Sequence, residues 1–479
     1  MTPRTLCGLG YNGCMAEEKI AGKQVSRLAG KYVAVIGLGR EGIDLVRFLR
    51  SQKAEVMVLD VNSLSQLKDY REAKHLGATF RLGKNYLDDL TDFQIIFRSP
   101  GVPLDLPQLK TARKAKVKIS SAIKLFFELC PAKIIGVTGT KGKSTTVSLI
   151  YHLLSALKKR VWLAGNIGQS PLQLLGKLKS SHIVILELSS FQLEDMTKSP
   201  NISVLLNVVA EHLDRHKTLA KYVAAKSNIY LHQARSDWLV TSQDFPATRA
   251  AAKKPKAKLF PYSVRKVLRR GLYVARDEVI YRQIKNGKRQ VIAGLDKINL
   301  RGEHNLQNVL PAVATAIINR VPVAKIVKRL KTFKSLPHRL EVVKEKGDVI
   351  FVNDSLGTTP EAAAAAVQAF AYRDVALILG GVYKGGDIKQ LAKTVAKSST
   401  VFVALIGKSA DKFRRALRQF APAVQTGKYK TFKQAIDASY KQVKRKGGAV
   451  ILSPACASFD MFKDAYHRGE EFRRIVKQL

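Results

Sequence analysis

The stretch that decides the fold is residues 134–146, which read IIGVTGTKGKSTT. An apolar run leads into a glycine-rich turn, and Lys143 and Ser144 then open a segment with a helical pattern. A strand, a glycine-rich turn and a helix in this order direct backbone N–H groups and the positive end of a helix dipole at an anion. Strict P-loop spacing requires a glycine at position 137, but the chain has Val137 there and Gly136 one place earlier. The stretch therefore predicts a phosphate-binding loop with displaced spacing.

The residues around this loop predict binding of ATP with Mg²⁺. Lys143 is placed to reach the β- and γ-phosphates, and the Ser144 hydroxyl is placed to ligate the metal. Glu187 lies near the end of the predicted strand Ile183–Leu188. Since a hard cation prefers carboxylate oxygen, we expect Glu187 to hold Mg²⁺ beside the loop.

A second glycine-rich turn lies near the amino terminus. The predicted strand Tyr32–Ile36 is followed by GLGREG at residues 37–42, a helical pattern and the predicted strand Val56–Leu59, which ends at Asp60. This βαβ unit matches the dinucleotide fingerprint, and taken alone it favours NAD. A nucleotide-sugar also supplies a diphosphate for the helix N-terminus and a hydroxyl for Asp60, so the turn leaves both ligands open.

Further strand and helix patterns continue along the chain and divide it into three α/β regions. We predict a Rossmann-like domain over residues 31–129, a central ATP-binding domain with a mostly parallel sheet over 130–335, and a Rossmann-like domain over 336–479. Residues 1–30 are predicted to be a poorly ordered extension. Within the central domain, short β-like runs over 236–292 suggest an antiparallel elaboration.

Polar turns follow three predicted strands of the third region. They contain Asp354, the GGVYKGG segment 380–386 with Lys384, and the SPACAS segment 453–458 with Ser458. Open α/β sheets bind ligands at the carboxyl ends of their strands. A lysine and a serine at that edge suit an acidic substrate.

Composition limits the partners, membrane segments and metal or disulfide sites that this chain can have. The 479 residues contain 82 Lys and Arg against 37 Asp and Glu, a formal net charge of +45, which indicates affinity for polyanions. Because the basic residues are scattered, with only a mild excess around 249–289, we interpret them as a solvated surface and expect no specific nucleic-acid partner. No apolar run reaches the roughly 20 residues that span a bilayer, so membrane insertion is not expected. Four cysteines without CxxC spacing give no disulfide framework or zinc site, which favours a cytoplasmic enzyme.

These motifs, taken together, resemble the Mur ligase family of ATP-dependent amide ligases. The likeness covers nearly all of the chain after residue 32, in order, including the one-residue displacement of the loop. The segments that carry it are GVTGTKGKSTT (136–146), GNIG (165–168), ELSSFQL (187–193), NVVAEHLDRH (207–216), LRGEHNLQN (300–308), PHR (337–339), NDS (353–355), GGVYKG (380–385) and LSPACASFD (452–460).

The resemblance implies a role for individual residues, in addition to those assigned above. The implied catalytic residues are Lys143, Glu187, His212 and Lys226. The implied ATP-binding residues are Gly139, Thr140, Lys141, Gly142, Lys143, Ser144, Thr145, Asn305, Arg339 and Asp354. The implied UDP-substrate residues are Leu38, Gly39, Arg40, Asp60, Asn62, Ser99, Gly101 and Asn166. The implied amino-acid-binding residues are Thr358, Lys384, Ser458 and Phe459. Two Mg²⁺ sites are implied on Ser144, Glu187, His212 and a carbamylated Lys226, since carbamylation converts a cation into an oxygen ligand.

Within the family, NDS, LSPACAS, the GLG loop and Ser99-Pro100-Gly101 favour the branch that adds D-glutamate to UDP-N-acetylmuramoyl-L-alanine in peptidoglycan precursor synthesis. Leu356 stands where many members have lysine, and Ala465 where an aromatic residue often lines the amino-acid site, so specificity for the amino acid stays open. The competing hypotheses are another Mur-type ligase, a basic P-loop ATPase acting on nucleic acid, and an NAD-dependent oxidoreductase. We expect a monomer.

Overall fold

The structure, a computed structural model, describes residues 28–276, 278–284, 288–300 and 302–479. Residues 1–27 of the predicted amino-terminal extension lie outside the described residues. The last three residues of that predicted extension belong to the fold, because Leu28 is buried and the N–H of Gly30 donates to the carbonyl of Lys53.

The first sheet has five parallel strands in the order β3-β2-β1-β4-β5. The strands are β1 (Tyr32–Ile36), β2 (Glu55–Asp60), β3 (Thr79–Leu82), β4 (Ile95–Arg98) and β5 (Lys118–Ser120). The helices of this region are α1 (Arg40–Ser51), α2 (Tyr70–His75), α3 (Pro107–Lys114) and α4 (Ala122–Leu129). The order reverses between β1 and β4, and ligands bind at such a switch point in open α/β sheets.

The central sheet has nine strands in the order β14-β13-β12-β11-β10-β9-β6-β8-β7. The strands are β6 (Lys133–Thr138), β7 (Val161–Gly165), β8 (Ile183–Glu187), β9 (Ile202–Leu205), β10 (Trp238–Ser242), β11 (Lys258–Ser263), β12 (Gly271–Val274), β13 (Val279–Gln283) and β14 (Arg289–Gly294). The helices are α5 (Lys143–Leu154), α6 (Pro171–Leu174), α7 (Ser190–Leu193), α8 (Leu213–His216), α9 (Leu219–Leu231), α10 (Pro246–Ala251), α11 (Glu303–Ile318) and α12 (Val323–Thr332). The predicted antiparallel elaboration is confirmed in β12, β13 and β14.

The third sheet has six strands in the order β15-β16-β20-β17-β18-β19, and only the β15–β16 pair is antiparallel. The strands are β15 (Glu341–Lys346), β16 (Val349–Asn353), β17 (Val375–Gly380), β18 (Thr400–Ile406), β19 (Gln425–Lys428) and β20 (Gly448–Leu452). The helices are α13 (Pro360–Ala369), α14 (Ile388–Ala396), α15 (Ala410–Phe420), α16 (Phe432–Val443) and α17 (Ala465–Gln478).

Strand β17 shows why the third sheet is covered on both faces. Leu377 and Leu379 belong to one buried cluster, whereas Ala376 and Ile378 belong to another. Successive side chains of a strand point to opposite faces, so an all-apolar strand needs a packed layer on each side. The predicted fold class, α/β with mostly parallel sheets, is confirmed.

The chain forms two compact units. The first comprises the residues up to Lys133 together with Ala164–His182 and Phe191–Lys198, and the second comprises Ile134–Leu163, Ile183–Ser190 and Ser199–Leu479. Each of the three sheets lies within one of the three predicted domains, and the domain boundaries themselves stay predictions. In the described residues, no helix combines the length and apolar character needed to cross a membrane.

A buried ion cluster stabilises the first unit. Arg98, at the end of β4, is 1% exposed and lies 3.4 Å from the carboxylate of Asp195. The other oxygen of that carboxylate lies 3.0 Å from the amine of Lys124 on α4. Two cations therefore share one carboxylate, and Arg98 also donates to the carbonyls of Val102 and Phe191.

Candidate functional site

The glycine-rich turn connects β6 to α5 in the second unit. Gly142 has a φ of +89°, in the left-handed region that favours glycine. A Cβ atom on Gly142 would lie 2.0 Å from the side-chain oxygen of Asn308, which belongs to α11. Both the backbone conformation and this close contact require a glycine, so α11 takes part in shaping the loop.

Lys143 lies over the turn that precedes it. Its amine donates to the carbonyls of Gly139 and Thr140, each at 2.9 Å. Burial lowers the pKa of Lys143, although the nearby carboxylates of Glu187 and Glu211 oppose this shift. The Lys143 amine therefore lies against the glycine-rich turn, and its contact with phosphate stays a prediction.

Lys226 lies beneath the same turn. Its side chain, on α9, is 2% exposed, and its amine donates to the carbonyl of Gly139 at 2.9 Å and to the hydroxyl of Thr138 at 3.4 Å. Burial, and next the positive charge of Lys143, lower the pKa of Lys226 to about 7. The local sequence pattern around Lys226 did not indicate this burial.

Glu187 supplies a carboxylate beside the two lysines. It ends β8, is 5% exposed, and its Oε2 has no hydrogen-bond partner among the described residues. A buried anionic oxygen without a donor suits a hard cation, because Mg²⁺ prefers carboxylate ligands. The residues present therefore fit the predicted magnesium site.

A cavity of about 520 Å³ extends from the loop to the third sheet. Most of the predicted ATP-binding residues line it, namely Thr140, Lys141, Gly142, Lys143, Ser144, Thr145, Asn305, Arg339 and Asp354. Glu187, His212 and Thr358 line it too. Gly139 and Lys226 do not line it and lie against each other below the turn. The structure thus brings together residues from widely separated parts of the sequence.

Other cavity residues were missed by the sequence interpretation. Asn308 accepts a hydrogen bond from the Thr146 hydroxyl at 3.3 Å and donates to Asn305 at 3.1 Å. His304, whose pKa burial lowers to about 4, and Glu361 also line the cavity. Asn308 and His304 stand within LRGEHNLQN, so that segment carried a signal for a polar helix face. The sequence around Glu361 carried no comparable signal.

The two histidines that share a helical spacing have different environments. The His212 side chain is 49% exposed, and its Nε2 lies 3.9 Å from the carboxylate of Glu211. His216 is buried, and its Nε2 lies 3.0 Å from the hydroxyl of Ser190. Glu211 also pairs with the Lys141 amine at 2.5 Å. His212 therefore lines the cavity, whereas His216 is buried against the Ser190 hydroxyl.

Asp354 lies at the far end of the cavity. Its carboxylate accepts hydrogen bonds from the Ser453 hydroxyl at 2.7 Å and from the N–H of Leu340 at 3.2 Å. Burial raises the pKa of Asp354 to about 7, although Ser453 and the Leu340 N–H oppose this. Arg339 and Leu356 line the same cavity, and His338, in the PHR segment, is 3% exposed.

The remaining residues predicted for the amino acid lie outside this cavity. The Lys384 amine lies 5.0 Å from the centroid of the Phe459 ring, and Phe459 is 64% exposed. Ser458 is buried, and its hydroxyl has no hydrogen-bond partner in the described part of the chain. The side chain of Tyr466 is exposed and next to His338, at a ring-centroid distance of 5.7 Å.

The first unit contains the residues predicted for the UDP-substrate. Asp60 accepts hydrogen bonds from the N–H of Leu38 at 2.8 Å and from the backbone and side chain of Asn62, both at 2.9 Å. Arg40 donates to the carbonyls of Asn166 and Gly168 at 3.3 and 3.0 Å. Asp60 therefore orders the loop itself, and Arg40 and Asn166 border a cavity of about 200 Å³.

Other parts of this turn are explained by close packing. Ser99 donates to the carbonyl of Gly37 at 3.1 Å, and a Cβ on Gly42 would lie 2.0 Å from that same carbonyl oxygen. Gly39 precedes α1 as its capping residue, and Gly101 is exposed. Glu41, which sequence reasoning passed over, borders the small cavity, and burial raises the pKa of its carboxyl group.

The fold and this site define a multidomain α/β nucleotide-binding enzyme with a displaced P-loop. Three family profiles match: Mur ligase MurD-like, N-terminal domain, over residues 31–121; Mur ligase middle domain over 137–316; and Mur ligase, glutamate ligase domain over 338–456. The chain belongs to the Mur ligase family. This membership sets aside the dehydrogenase interpretation of GLGREG and the nucleic-acid ATPase interpretation of the P-loop.

Relatives match the chain over nearly its full length. The UDP-N-acetylmuramoylalanine–D-glutamate ligase of Acetivibrio thermocellus is 37% identical over 461 residues, which are 95% of this chain and 97% of that protein. The ligase of the same name from Roseiflexus sp. is 37% identical over 467 residues, 95% of this chain and 100% of that protein. Among solved structures, MurF from Acinetobacter baumannii matches with a TM-score of 0.57 at 17% identity, covering 95% and 92% of the two chains. This last likeness shows a shared fold.

Proposed function

We propose that this protein joins D-glutamate to UDP-N-acetylmuramoyl-L-alanine at the expense of ATP. The observation that carries the proposal is 37% identity, over almost the whole chain, to relatives named for that reaction. The grouping of Lys143, Glu187 and Lys226 around one phosphate-binding turn supports the ATP-dependent part.

The reaction has two chemical steps. An oxygen of the substrate carboxylate attacks the γ-phosphorus of ATP, the bond to ADP breaks, and an acyl phosphate forms. The neutral amine of D-glutamate then attacks the acyl carbon, the amine loses a proton, and the tetrahedral intermediate expels phosphate to leave an amide. Phosphoryl transfer depends mainly on positioning and charge neutralisation, so cations matter more here than nucleophilic side chains.

The chain supplies those cations from two parts of the second unit. Lys143 lies on the turn, and Arg339 lines the same cavity from the third domain. Asn305, Asn308 and Asp354 provide hydrogen-bonding groups for the nucleotide between them. Ser144 and Glu187 would hold one Mg²⁺ and His212 with a modified Lys226 a second, and the two ions would neutralise phosphate charge.

Carbamylation of Lys226 is part of the proposal. The neutral amine attacks CO₂, a C–N bond forms, and one proton is released to give a carbamate anion. A pKa near 7 leaves a large fraction of this amine neutral at physiological pH, which the reaction with CO₂ requires. The carbamate would provide the oxygen ligand for a second metal that the unmodified lysine cannot. Lys226→Ala should abolish ligation, and bicarbonate depletion should slow the unsubstituted enzyme, whose rate should return when bicarbonate is added back. Full activity after exhaustive removal of CO₂ would refute the modification.

The amino-acid site is proposed to comprise Thr358, Lys384, Ser458 and Phe459. The ammonium of Lys384 and the unpartnered hydroxyl of Ser458 suit the side-chain carboxylate of D-glutamate. The family resemblance implies a lysine at the position of the uncharged Leu356, so Lys384 is proposed to carry more of the recognition in this chain. Residues of the first unit, including Leu38, Arg40, Asp60 and Asn166, are proposed to hold the UDP-substrate.

The decisive experiment offers UDP-N-acetylmuramoyl-L-alanine, ATP and a panel of amino acids to the purified enzyme. Phosphate release and mass spectrometry of the product should report ligation with D-glutamate. Lys143→Ala should reduce the rate by at least about 100-fold, as expected when one charge-stabilising group is lost, whereas the exposed control Lys158→Ala should not. Ligation with a different amino acid and not with D-glutamate would refute the proposed specificity while retaining the ligase class.

We further propose that the enzyme acts in the cytoplasm as a monomer. The supporting observation is that the proposed ATP-binding residues lining the larger cavity all belong to the second unit of the chain, so the nucleotide site requires no residue from a second copy. Light scattering across a range of protein concentrations should give a constant mass near 53.0 kDa. A mass that doubles with full activity would refute the monomer.

A further inference from the structure

A second cavity of the second unit has no part in the proposed ligase site. It has a volume of about 360 Å³ and lies at strands β10, β11, β12 and β13. Its apolar lining includes Trp238, Phe260 and Pro261. None of its lining residues is among those that line the larger nucleotide cavity.

Three arginines border this apolar cavity: Arg269, Arg270 and Arg282. Within the described ranges, none of the three guanidinium groups has an ion pair or a side-chain hydrogen bond. Guanidinium groups form planar, bidentate contacts with phosphate and stack on aromatic rings. Three unpaired groups around one apolar cavity are therefore complementary to a ligand that carries both phosphate and a flat apolar ring.

The surrounding sequence strengthens this charge complementarity. Residues 249–289 contain fourteen lysines and arginines and two acidic residues. Lys258 lies in the same strand as Phe260, with its amine 5.6 Å from the centroid of the Trp238 ring. The sequence showed only a mild excess of basic residues over this range, and the strand order of the sheet places three of them at one cavity.

We propose that this cavity binds single-stranded nucleic acid. Proteins that bind single strands without sequence preference combine a basic surface with aromatic side chains on which bases stack. Here a base would enter the apolar cavity beside Trp238, and the arginines would contact the flanking phosphates. An inorganic phosphate would contact only the three arginines, whereas a nucleotide unit would contact both the arginines and the apolar lining. The volume falls within the range of small-ligand pockets, about 300–1,000 Å³.

The two tryptophans of the chain, Trp162 and Trp238, allow a direct test. In a Trp162→Phe variant, Trp238 is the sole tryptophan and reports on this cavity. The variant is titrated with an oligothymidylate of about eight nucleotides, with saturating ATP present to occupy the other site. We expect quenching of Trp238 fluorescence and an affinity that falls steeply with salt.

The same titration is repeated on two double variants. Arg270→Gln with Arg282→Gln should weaken binding by about tenfold or more and lower the salt slope by about 1.4, since each phosphate contact on a single strand contributes about 0.7. The matched control, Arg113→Gln with Arg418→Gln, removes two exposed charges elsewhere and should leave binding nearly unchanged. Both double variants should retain ligase activity and thermal stability.

Three outcomes would overturn the proposal. The first is binding that leaves Trp238 fluorescence unchanged. The second is equal loss of affinity in both double variants, which would indicate attraction to overall charge. The third is binding of thymidine monophosphate or inorganic phosphate with the affinity of the oligonucleotide, which would indicate a small-anion site.

Discussion

Replacing Gly142 by alanine tests how the glycine-rich turn is built. The position has a φ of +89°, and an L-residue in the left-handed region costs about 1–2 kcal/mol. The new Cβ would also lie 2.0 Å from the Asn308 side chain, which is buried and hydrogen-bonded to Thr146 and Asn305. Displacing a packed side chain costs about 1–3 kcal/mol more. We expect the free energy of unfolding to fall by about 2–5 kcal/mol in total.

Urea unfolding followed by tryptophan fluorescence measures this loss, because both tryptophans lie in strands of the central sheet. The control Gly347→Ala also has a positive φ, +55°, but nothing lies within 4 Å of its Cβ, so it should cost only about 1–2 kcal/mol. In an Asn308→Ala background the steric part should vanish, and Gly142→Ala should then cost about as much as the control. Equal costs with and without Asn308 would refute the steric reasoning.

Two further predictions concern buried charge. Asp195→Asn leaves Arg98 and Lys124 without their shared counter-charge and should lower the free energy of unfolding by about 3 kcal/mol. The control Glu128→Gln breaks an exposed ion pair with Lys118 and should lower it by less than about 1 kcal/mol. Equal losses in urea titrations of the two variants would contradict the buried role of Asp195. Asp354 keeps a proton in the folded state between its ordinary pKa of 3.8 and about 7, where the unfolded chain has lost it. The free energy of unfolding should therefore decline by a few kcal/mol as pH rises through that range and then level off. Asp354→Asn should remove most of this decline. A variant that retains the full decline would show that another group causes it.

The parts of the fold that sequence patterns predicted well are buried parallel strands. Tyr32–Ile36 agrees with β1 at both ends, because a strand covered on both faces is apolar throughout. The polar edge strands β3, β15 and β19 carry no such pattern and were missed. β11 was missed as well, since Pro261 argues against an interior strand. The chain accommodates it through Gly271 of β12, whose Cβ would lie 1.9 Å from the Pro261 carbonyl oxygen.

In the candidate site too, some residues could be predicted from the local sequence and others could not. Lys143 and Ser144 are recognisable because the whole anion-binding turn is local in sequence. Asn308 and Glu361 reach the same cavity from distant segments, and only the packing of α11 and α13 places them there. Strand β9 ends at Leu205, and two residues further on the carbonyl of Asn207 accepts from the N–H of Thr140 in the turn, a contact that no local pattern indicates.

Most edge strands of the three described sheets carry a basic side chain. Five of the six edge strands contain lysine or arginine, among them Arg81 in β3, Lys118 in β5 and Lys428 in β19. An unpaired strand edge is a template for another chain, and basic side chains on it repel a second copy. Aggregation during refolding should therefore increase as salt screens these charges, so dilute, low-salt conditions should give the highest yield of folded enzyme.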